Sequence, residues 1–370
     1  MPPVRLLLDA RMARHGGIGT YVRHLVTALA VSGAVERCCL AGAPHGSFSP
    51  QDGSLCLHPY PAPIYSVWEQ IVLPANPHGA QLWHSPHYNI PLRWRGPLVV
   101  TIHDLIPIQH PSWMSTPLAA PYAAFMLRQV ARRASAVIAV SEATKRAFCA
   151  WAGMDPQRVT TIPHGVPPHV VRPIPAAQRD RVLAAYGVHP PFVLWVSAVR
   201  PHKNPLTVLR AFARLRARYQ IPHQLVMVGA LPRWYQTPWH EAQRLGLSEA
   251  IRWMGSVPAE IVSVLYQTAR VLVMPSFEEG FGLPVLEAMA AGLPVLVSTT
   301  PALVELVGTA GVTIDPNDVD GWAKRLYTVL LNDDLHRTLQ DQGRHRASQF
   351  TWADAVARHL EVYRAVSGTA

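Results

Sequence analysis

Two carboxylates separated by seven residues could hold the hydroxyl groups of one ligand. Glu279 and Glu287 lie in the segment SFEEGFGLPVLEAMAAGLPVL (276–296), where glycines follow the first, and Val, Leu, Ala and Met surround the second. An ionised carboxylate buried without a partner costs several kcal/mol, so Glu287 must reach water or meet a polar group. Because carboxylates accept hydrogen bonds from hydroxyls, a hydroxylated ligand suits both residues.

The residues around this pair predict a strand, a Gly-rich turn and a helix. The run VLVMP (271–275) is typical of a strand, Pro284 suits a first helical position, and Gly292 suits the position after a helix end. Unpaired N–H groups at a helix start attract phosphate. A nucleotide-sugar fits this arrangement, with Glu287 on the ribose and Glu279 on the sugar. The turn residues expected to contact it are Gly280, Phe281, Gly282 and Leu283. The alternative is a plain strand-to-helix turn with a solvated Glu279 and a capped Glu287.

Two cations follow another apolar run, FVLWVSA (192–198). Arg200 and Lys203 lie in RPHKN just after this predicted strand. Cations at the end of a strand can neutralise a diphosphate and stabilise the charge that develops as a sugar–phosphate bond breaks. We therefore expect both residues to act in catalysis, and solvated surface cations without a role are the alternative.

A histidine and an aspartate follow the predicted strand LVVTI in the first half of the chain. His103 and Asp104 occupy its carboxyl end, where ligands bind in doubly wound sheets. Asp104 could orient the imidazole or cap the next turn. A structural histidine is the alternative for His103.

The segment GGIGTY (16–21) predicts a turn in which backbone can approach a sugar or an acceptor, through Gly16, Gly17 and Gly19. It lacks the third glycine of the G-x-G-x-x-G fingerprint, which disfavours a nicotinamide enzyme. A strand-to-helix turn without a ligand is the alternative.

Composition limits the class of protein and its partners. A chain of 370 residues exceeds the size of one ordinary core, so two domains are expected. The net charge of +10 implies an anionic partner: nucleic acid, an acidic membrane surface or a phosphorylated metabolite. We expect no nucleic acid, because no binding motif for it is present. The four cysteines have neither disulfide-framework nor metal-site spacing, which predicts a reduced, cytoplasmic protein without a metal. No apolar run of about 18 residues is present, so contact with a membrane would be peripheral.

Strand-like and helix-like patterns alternate along most of the chain. This alternation predicts an α/β fold of two doubly wound parallel-sheet domains, each Rossmann-like, facing a central cleft. The Pro-rich stretch at 163–191 interrupts the alternation, so we place an N-terminal domain at 1–170 and a C-terminal nucleotide-sugar-binding domain at 171–349.

One helix, at 118–133, carries Arg128, Arg132 and Arg133 beside Phe125, Met126 and Leu127. It could be a core-facing helix with basic exposed residues. Alternatively, it could rest on an anionic membrane that bears a lipid-linked acceptor.

The spacing of Glu279 and Glu287 resembles the signature of the family-four retaining glycosyltransferases, which have the GT-B fold. The other motifs follow in the same order over nearly the whole chain: GGIGTY (16–21), WEQIVLP (68–74), HSPHYNIPL (84–92), TIHDLIP (101–107), AVIAVSEATKR (136–146), VSAVRPHKNPLTVLRAF (196–212) and FTWADAVARHLEVYRAV (350–366). Several of them resemble the mannosyltransferase-like branch. The resemblance also implies that the C-terminal helix at 350–370 packs back onto the first domain.

The resemblance implies roles for several residues. It puts His103 beside the transferred sugar and backbone around Val257 against the nucleobase. Lys203 matches the phosphate-binding segment of the family. The family often has Arg directly after a Gly at the strand end, whereas this chain has Ser197 and Ala198, so Arg200 is at most a stand-in.

Together these features predict a retaining, metal-independent hexosyltransferase of surface polysaccharide biosynthesis. The resemblance to the mannosyltransferase-like branch implies GDP-mannose as the donor, followed by UDP-glucose or another UDP-sugar. The expected acceptor is a glycan or a polyprenyl-diphosphate-linked glycan. The expected location is the cytoplasm, on the inner face of the cell membrane if the basic helix binds lipid. A nucleotide-sugar 2-epimerase of the same fold and a non-catalytic nucleotide-sugar-binding partner are the alternatives.

Overall fold

The computed structural model describes residues 4–48, 55–72 and 79–368, and the chain divides into two compact units. The first unit runs to Gly165 and takes up the chain again from Phe350, and the second runs from Val166 to Gln349. The boundary between the two units therefore lies after residue 165, five residues before the boundary at residue 170 inferred from the sequence. Leu73 and Pro74, at the end of the WEQIVLP motif, lie outside the described residues.

The described residues of the first unit form a parallel sheet of seven strands in the order β3-β2-β1-β4-β5-β6-β7. The strands are β1 Val4–Asp9, β2 Val35–Ala41, β3 Leu55–His58, β4 Leu82–Ser85, β5 Leu98–Ile102, β6 Ala136–Ala139 and β7 Val159–Thr161. The helices between them are α1 Gly16–Ser32, α2 Trp68–Ile71, α3 Ile106–Gln109, α4 Ala119–Arg133 and α5 Glu142–Ala152. Leu6, Leu7 and Leu8 of β1 are all fully buried, as expected for a strand covered on both faces.

The second unit contains a parallel sheet of six strands in the order β10-β9-β8-β11-β12-β13. Its strands are β8 Phe192–Val196, β9 Gln224–Val228, β10 Ile251–Gly255, β11 Val271–Met274, β12 Val295–Ser298 and β13 Val312–Ile314. Its helices are α6 Pro168–Val171, α7 Ala176–Ala185, α8 Pro205–Tyr219, α9 Thr237–Arg244, α10 Ala259–Thr268, α11 Leu283–Ala290, α12 Pro301–Val307, α13 Val319–Leu331 and α14 Asp333–Ala347. The Pro-rich stretch at 163–191 therefore contains two helices, α6 and α7.

The last helix, α15 Trp352–Ser367, belongs to the first unit. It packs against α1 and reaches β1 and β4. Its side chains Tyr363 and His359 are buried in that unit.

Strand order reverses once in each sheet, between β1 and β4 in the first and between β8 and β11 in the second. Loops that leave the carboxyl ends of two such strands diverge to opposite faces and leave a crevice for a ligand. These two switch points are the places where a site is expected.

The predicted Gly-rich turn of the first unit is helical instead. Gly16, Gly17 and Gly19 form the first turn of α1. A Cβ on Gly19 would lie 2.7 Å from the carbonyl oxygen of Ala13 and 2.8 Å from that of Met12. The glycine therefore permits close packing of the helix on the preceding turn, and ligand contact by these glycines stays a prediction.

The expectation of four reduced cysteines is wrong. Cys39 of β2 and Cys56 of β3 form a disulfide with a Cα–Cα distance of 4.6 Å, whereas Cys38 and Cys149 are buried free thiols. Strand pairing places Cys39 directly opposite Cys56. Spacing along the chain does not show this, because the two residues meet only when β2 and β3 pair. Among the described residues, no helix is long and apolar enough to cross a membrane.

Candidate functional site

The switch point of the second sheet brings two of the predicted catalytic residues together. The Lys203 ammonium lies 2.7 Å from both carboxylate oxygens of Glu279, and the Ser276 hydroxyl donates to Oε1 of Glu279 at 2.8 Å. The side chains of Lys203 and Glu279 are 18% and 7% exposed. An ion pair with so little solvent around it needs good geometry to offset desolvation, and contact with both oxygens supplies it.

Tertiary hydrogen bonds join the loop after β8 to the loop after β11. Asn204 has a left-handed backbone (φ 50°), and its side-chain amide donates to the carbonyl oxygens of Pro275 and Pro316 at 3.0 and 2.8 Å. The Phe277 amide donates to the His202 carbonyl at 2.7 Å. These bonds hold Lys203 beside Glu279 although 75 residues lie between them in the chain.

Arg200 has a different neighbour from Lys203. Its guanidinium lies 5.0 Å from the ring centre of Trp234, which is 47% exposed. The described contacts of Arg200 therefore tie it to an aromatic surface, and its predicted catalytic role stays a prediction.

The Gly-rich turn leads into α11, which begins at Leu283 after Gly282. Gly282 has φ 103°, and a Cβ there would lie 2.6 Å from a methyl of Leu303, so glycine is required. The first helical donor is the Val285 amide, which bonds to the Gly282 carbonyl. The helix start, with Gly280 and a buried Phe281 before it, therefore presents the early N–H groups that can bind an anion. Pro284 is the second helical residue, one position later than predicted.

Glu287, on α11, meets a polar group from the neighbouring helix. The Tyr266 hydroxyl of α10 donates to its Oε2 at 3.0 Å. Burial raises the pKa of Glu287 to about 7, and the Tyr266 hydrogen bond opposes that rise only in part. The carboxyl group therefore changes charge near neutral pH, and a ligand hydroxyl that donates to it would favour the ionised form.

Val257 is half-buried in the loop between β10 and α10. This loop leaves the carboxyl end of the edge strand β10, on the same edge of the sheet as the Lys203–Glu279 pair. The structure thus places it where a nucleobase contact is feasible, and that contact stays a prediction.

In the first unit, the imidazole of His103 is held on several sides. Its Nε2 bonds to the Pro86 carbonyl at 2.9 Å, and its ring packs edge-on to Tyr21 at 5.0 Å and nearly parallel to His164 at 5.7 Å. Burial lowers the pKa of His103 to about 4, so the ring is neutral at pH 7. Because a carbonyl can only accept, Nε2 carries the proton, and Nδ1 is the acceptor that a sugar hydroxyl could use.

Asp104 acts as a cap in the structure. Its Oδ1 accepts from the Ile106 amide at 3.0 Å, at the start of α3. Of the two sequence-based alternatives for Asp104, the described hydrogen bond corresponds to the second.

Sequence reasoning missed a buried chain of hydrogen bonds below His103. The Tyr363 hydroxyl bonds to His84 Nδ1 (2.7 Å), His84 Nε2 to the Thr101 hydroxyl (2.9 Å), Thr101 to the Tyr21 hydroxyl (2.9 Å), and Tyr21 to His359 Nε2 (2.8 Å). The available signal was a set of polar residues inside apolar segments, such as His84 in the buried strand β4. Their partners lie up to 338 residues apart, so pairing was not readable.

Within the described ranges, no group of three or more His, Cys, Asp or Glu side chains is arranged to hold a metal ion.

Two family models match successive parts of the chain. One is described as Glycosyltransferase Family 4 and matches residues 15–170, and the other is described as Glycosyl transferases group 1 and matches residues 184–346. The second match contains Lys203, Glu279 and Glu287.

Characterised relatives share about three tenths of their aligned residues with this chain. The O-antigen chain mannosyltransferase B of Escherichia coli is 28% identical over 76% of this chain and 74% of that protein. The MMP alpha-(1->4)-mannosyltransferase of Mycolicibacterium hassiacum is 31% identical over 72% of this chain and 65% of its own length. The D-inositol 3-phosphate glycosyltransferase of Salinispora arenicola is 31% identical over 73% and 64%. The chain thus spans slightly less than two thirds of the last two relatives.

Solved structures share the fold over nearly the full length. Sucrose-phosphate synthase from Thermosynechococcus elongatus superposes with a TM-score of 0.77 at 20% identity, covering 100% of both chains. WaaG, a glycosyltransferase involved in lipopolysaccharide biosynthesis, gives 0.77 at 18% identity over 97% of this chain and 99% of its own. Anabaena HepE in complex with UDP and glucose gives 0.77 at 20% over 97% and 99%. The predicted α/β fold class of two parallel sheets, that of GT-B enzymes, is confirmed.

Proposed function

The chain belongs to the glycosyltransferases of group 1 and family 4, and we propose that it transfers a hexose from a nucleotide-diphosphate sugar to a glycan or lipid-linked glycan. The observation that carries this proposal is the Lys203–Glu279 pair at the switch point between β8 and β11, on the same sheet edge as Glu287 and the start of α11. That edge offers a cation and helix N–H groups for a diphosphate and two carboxylates for hydroxyls. A nucleotide-sugar needs all of these.

The proposed chemistry retains the configuration of the transferred sugar. The acceptor oxygen attacks the anomeric carbon from the face of the leaving diphosphate, the bond from that carbon to the phosphate oxygen breaks, and a phosphate oxygen takes the acceptor proton. Lys203 stabilises the negative charge that grows on the diphosphate. Glu279 orients sugar hydroxyls, Glu287 binds the ribose, and His103 accepts from a sugar hydroxyl through Nδ1. Because Lys203 and helix N–H groups supply the positive field, we expect transfer to need no divalent cation.

The proposed donor is GDP-mannose, with UDP-glucose or another UDP-sugar second. Two relatives are named mannosyltransferases, one of them for the O-antigen chain, which supports mannose and a surface glycan. HepE, which has the same fold, has been solved in complex with UDP-glucose. That complex supports a nucleotide-sugar donor, and a UDP-sugar is therefore the second candidate.

A nucleotide-sugar panel tests the donor. Thermal unfolding is measured with GDP-mannose, UDP-glucose, GDP, UDP and ATP, where ATP controls for unspecific phosphate binding. A ligand at 100 times its Kd adds about 2.7 kcal/mol to the free energy of unfolding. A shift with GDP-mannose or a UDP-sugar, absent with ATP, supports the proposal; equal shifts with all five contradict it.

Product analysis separates the proposed transfer from its alternatives. Donor incubated alone should yield at most slow hydrolysis, whereas a 2-epimerase would yield the C2 epimer, and a non-catalytic binder would leave the donor intact even with acceptors. The same assay run with EDTA tests the metal-free chemistry. Activity that disappears with EDTA and returns with Mg²⁺ or Mn²⁺ contradicts it.

A second proposal concerns an anionic membrane surface. The apolar residues Met126 and Leu127 of α4 are buried in the first unit, so the predicted apolar face is not exposed, apart from Phe125 at 48%. The basic side is different. A cavity of about 430 Å³ is lined by Arg128, Arg132, Arg158 and Trp151 among others. We propose that these arginines bind phosphate head groups of a membrane that carries a lipid-linked acceptor.

Co-sedimentation with phosphatidylglycerol vesicles at low salt tests the membrane proposal. The double variant Arg128→Glu/Arg132→Glu should lose vesicle binding and keep nucleotide binding. A matched control reverses Arg218 and Arg325, two exposed arginines of the second unit, and should retain most vesicle binding. High salt should release the wild-type protein. Equal losses of vesicle binding in both double variants would show that the net charge of the protein, and not these particular arginines, causes vesicle binding.

A further inference from the structure

Tyr65, in the first unit, has a backbone conformation that its side chain disfavours. Its φ is 63°, in the left-handed region. The other non-glycine residues with positive φ among those described are Asn204 and Gln220; asparagine tolerates this region, and Gln220 caps the end of α8. For a bulky residue the left-handed region costs about 1–2 kcal/mol, so it persists only where surrounding contacts impose it.

Neighbouring side chains hold Tyr65 in this conformation. Its hydroxyl bonds to His87 Nε2 at 2.8 Å, and its ring meets the Tyr122 ring edge-on at 5.9 Å. Tyr122 in turn donates to the buried carboxylate of Glu69, which also accepts from the Asn89 amide at 3.0 Å. The phenol of Tyr65 is therefore anchored at its tip and along one edge.

The anchored residue is nevertheless half-exposed. Tyr65 is 49% exposed, whereas His87, to which it bonds, is 9% exposed. His87 follows β4, one of the two strands at the switch point of the first sheet. Asp104 follows β5, the neighbour of β4 in the same parallel sheet, so its carboxylate lies on the same edge of that sheet. A half-exposed, anchored aromatic residue and a carboxylate thus lie on the edge where doubly wound sheets bind ligands.

We propose that Tyr65 is a stacking platform for a pyranose ring of the glycosyl acceptor. A sugar ring has one apolar face of C–H groups and a rim of hydroxyls. A rigid aromatic ring can pack against the C–H face of the sugar, and the carboxylate of Asp104 can accept hydrogen bonds from its hydroxyls. The proposal rests on the proposed glycosyl transfer, and it deepens that function by naming where the acceptor sugar is held.

The left-handed backbone makes glycine the suitable replacement. Glycine adopts positive φ without cost, so Tyr65→Gly should relieve the backbone while it removes the platform. The lost ring contacts and the relieved backbone act on Tm in opposite directions, so Tm only checks that the variant is folded. The loss of sugar affinity in the folded variant decides the proposal.

Saturation-transfer NMR without donor tests the platform. It measures the binding of methyl α-D-mannopyranoside and of methyl α-D-glucopyranoside to the full chain. The wild type should bind at least one glycoside, and Tyr65→Gly should bind it about tenfold more weakly, a change of about 1.4 kcal/mol. Tyr65→Phe keeps the ring and should lose less. Trp68→Ala is the matched control, because Trp68 is an exposed aromatic residue (62%) three positions away, and it should bind like the wild type.

Three outcomes overturn the proposal: no binding of either glycoside to the wild type, equal binding by Tyr65→Gly, or an equal loss in Trp68→Ala. Nucleotide binding is measured on the same samples. If nucleotide-sugars bind and react but Tyr65→Gly binds glycosides normally, only the platform is wrong. If no nucleotide-sugar binds, the proposed function fails while the glycoside result still decides the platform.

Discussion

Both sheets place an ion pair at the point where their strand order reverses, yet the two pairs differ in how fully their polar atoms are satisfied. In the first unit, Arg11 bonds to Asp9, to the Ala62 carbonyl and to Glu69, and Glu69 also accepts from Asn89 and Tyr122. All three charged side chains are at most 8% exposed. This cluster is saturated.

The pair in the second unit is simpler and more open. The Lys203 ammonium donates only to Glu279, and the Glu279 carboxylate accepts besides only from Ser276, among the described hydrogen bonds. An ammonium group has three N–H donors, so at least one remains for a ligand. The difference teaches that a saturated charge cluster holds a scaffold together, whereas a pair with spare donors can exchange partners when a ligand arrives.

The largest expected effect is on the saturated cluster. Arg11→Met should lower the free energy of unfolding by about 3–5 kcal/mol, because it leaves Asp9 and Glu69 buried without their cation. Urea unfolding followed by circular dichroism measures this. Nucleotide affinity of the folded fraction should stay unchanged, since Arg11 belongs to the first unit. A loss below 1 kcal/mol would break the distinction between the two pairs.

Lys203→Met should act on turnover instead. We expect kcat to fall on the order of 10²-fold, because the contact strengthens as charge develops on the leaving diphosphate, while nucleotide affinity falls less. Steady-state kinetics and calorimetry with free nucleotide separate the two effects. Arg200→Met is the comparison, and its effect measures whether a guanidinium beside Trp234 contributes at all. If Lys203→Met weakens nucleotide affinity and leaves kcat unchanged, Lys203 binds the ground state and the transition state alike.

The two carboxylates should separate by about tenfold in nucleotide binding. Glu287→Ala removes the proposed ribose contact, which free nucleotide also makes, and a hydrogen bond to a charged group contributes about 1.5–3 kcal/mol. Glu279→Ala removes a contact to the transferred sugar only, so GDP or UDP should bind nearly as to the wild type. Calorimetry with GDP and UDP checks this. Equal weakening by both substitutions would show that the roles are wrongly divided.

The pKa of Glu287 near 7 predicts a pH dependence of nucleotide binding. If the ionised form binds ribose, nucleotide affinity should rise about tenfold from pH 6 to pH 8, following the ionised fraction of a group with that pKa. Glu287→Gln, which cannot ionise, should show a flat profile over this range. A wild-type profile as flat as that of the variant would exclude the ionised carboxylate as the ligand of the ribose.

The same raised pKa has a consequence for stability. A carboxyl whose pKa is higher in the folded than in the unfolded protein stabilises the fold below its usual pKa of 4.5, and that contribution is lost as pH rises to about 7. Glu287→Gln lacks this loss. Its stability relative to the wild type should therefore increase between pH 4.5 and 7, by about 1–3 kcal/mol, as measured by urea unfolding at several pH values.

Much of the second unit was predictable because its signals are local. The strands predicted at VLVMP (271–275) and FVLWVSA (192–198) appear as β11 and β8, one and two residues shorter, since continuous apolar runs mark them. Several strands were missed, among them β3 and β4, because a strand of four residues carries little periodicity of its own. The segment GGIGTY is helical, and its Gly19 is required by close packing against the carbonyl oxygens of Ala13 and Met12, which no local pattern indicates.

The sequence alone determined the fold class, the kinds of side chain at the second switch point and the family. These follow from local patterns, because strand patterns and the Glu279–Glu287 spacing involve residues that are close together in the chain. Which atoms meet was decided only by tertiary structure. The pairing of Lys203 with Glu279, of Tyr266 with Glu287, of Cys39 with Cys56 and of Tyr21 with His359 joins residues far apart in the chain. Such contacts arise when strands take their order in a sheet and helices pack on it, and the resulting burial then sets the pKa values of Glu287 and His103.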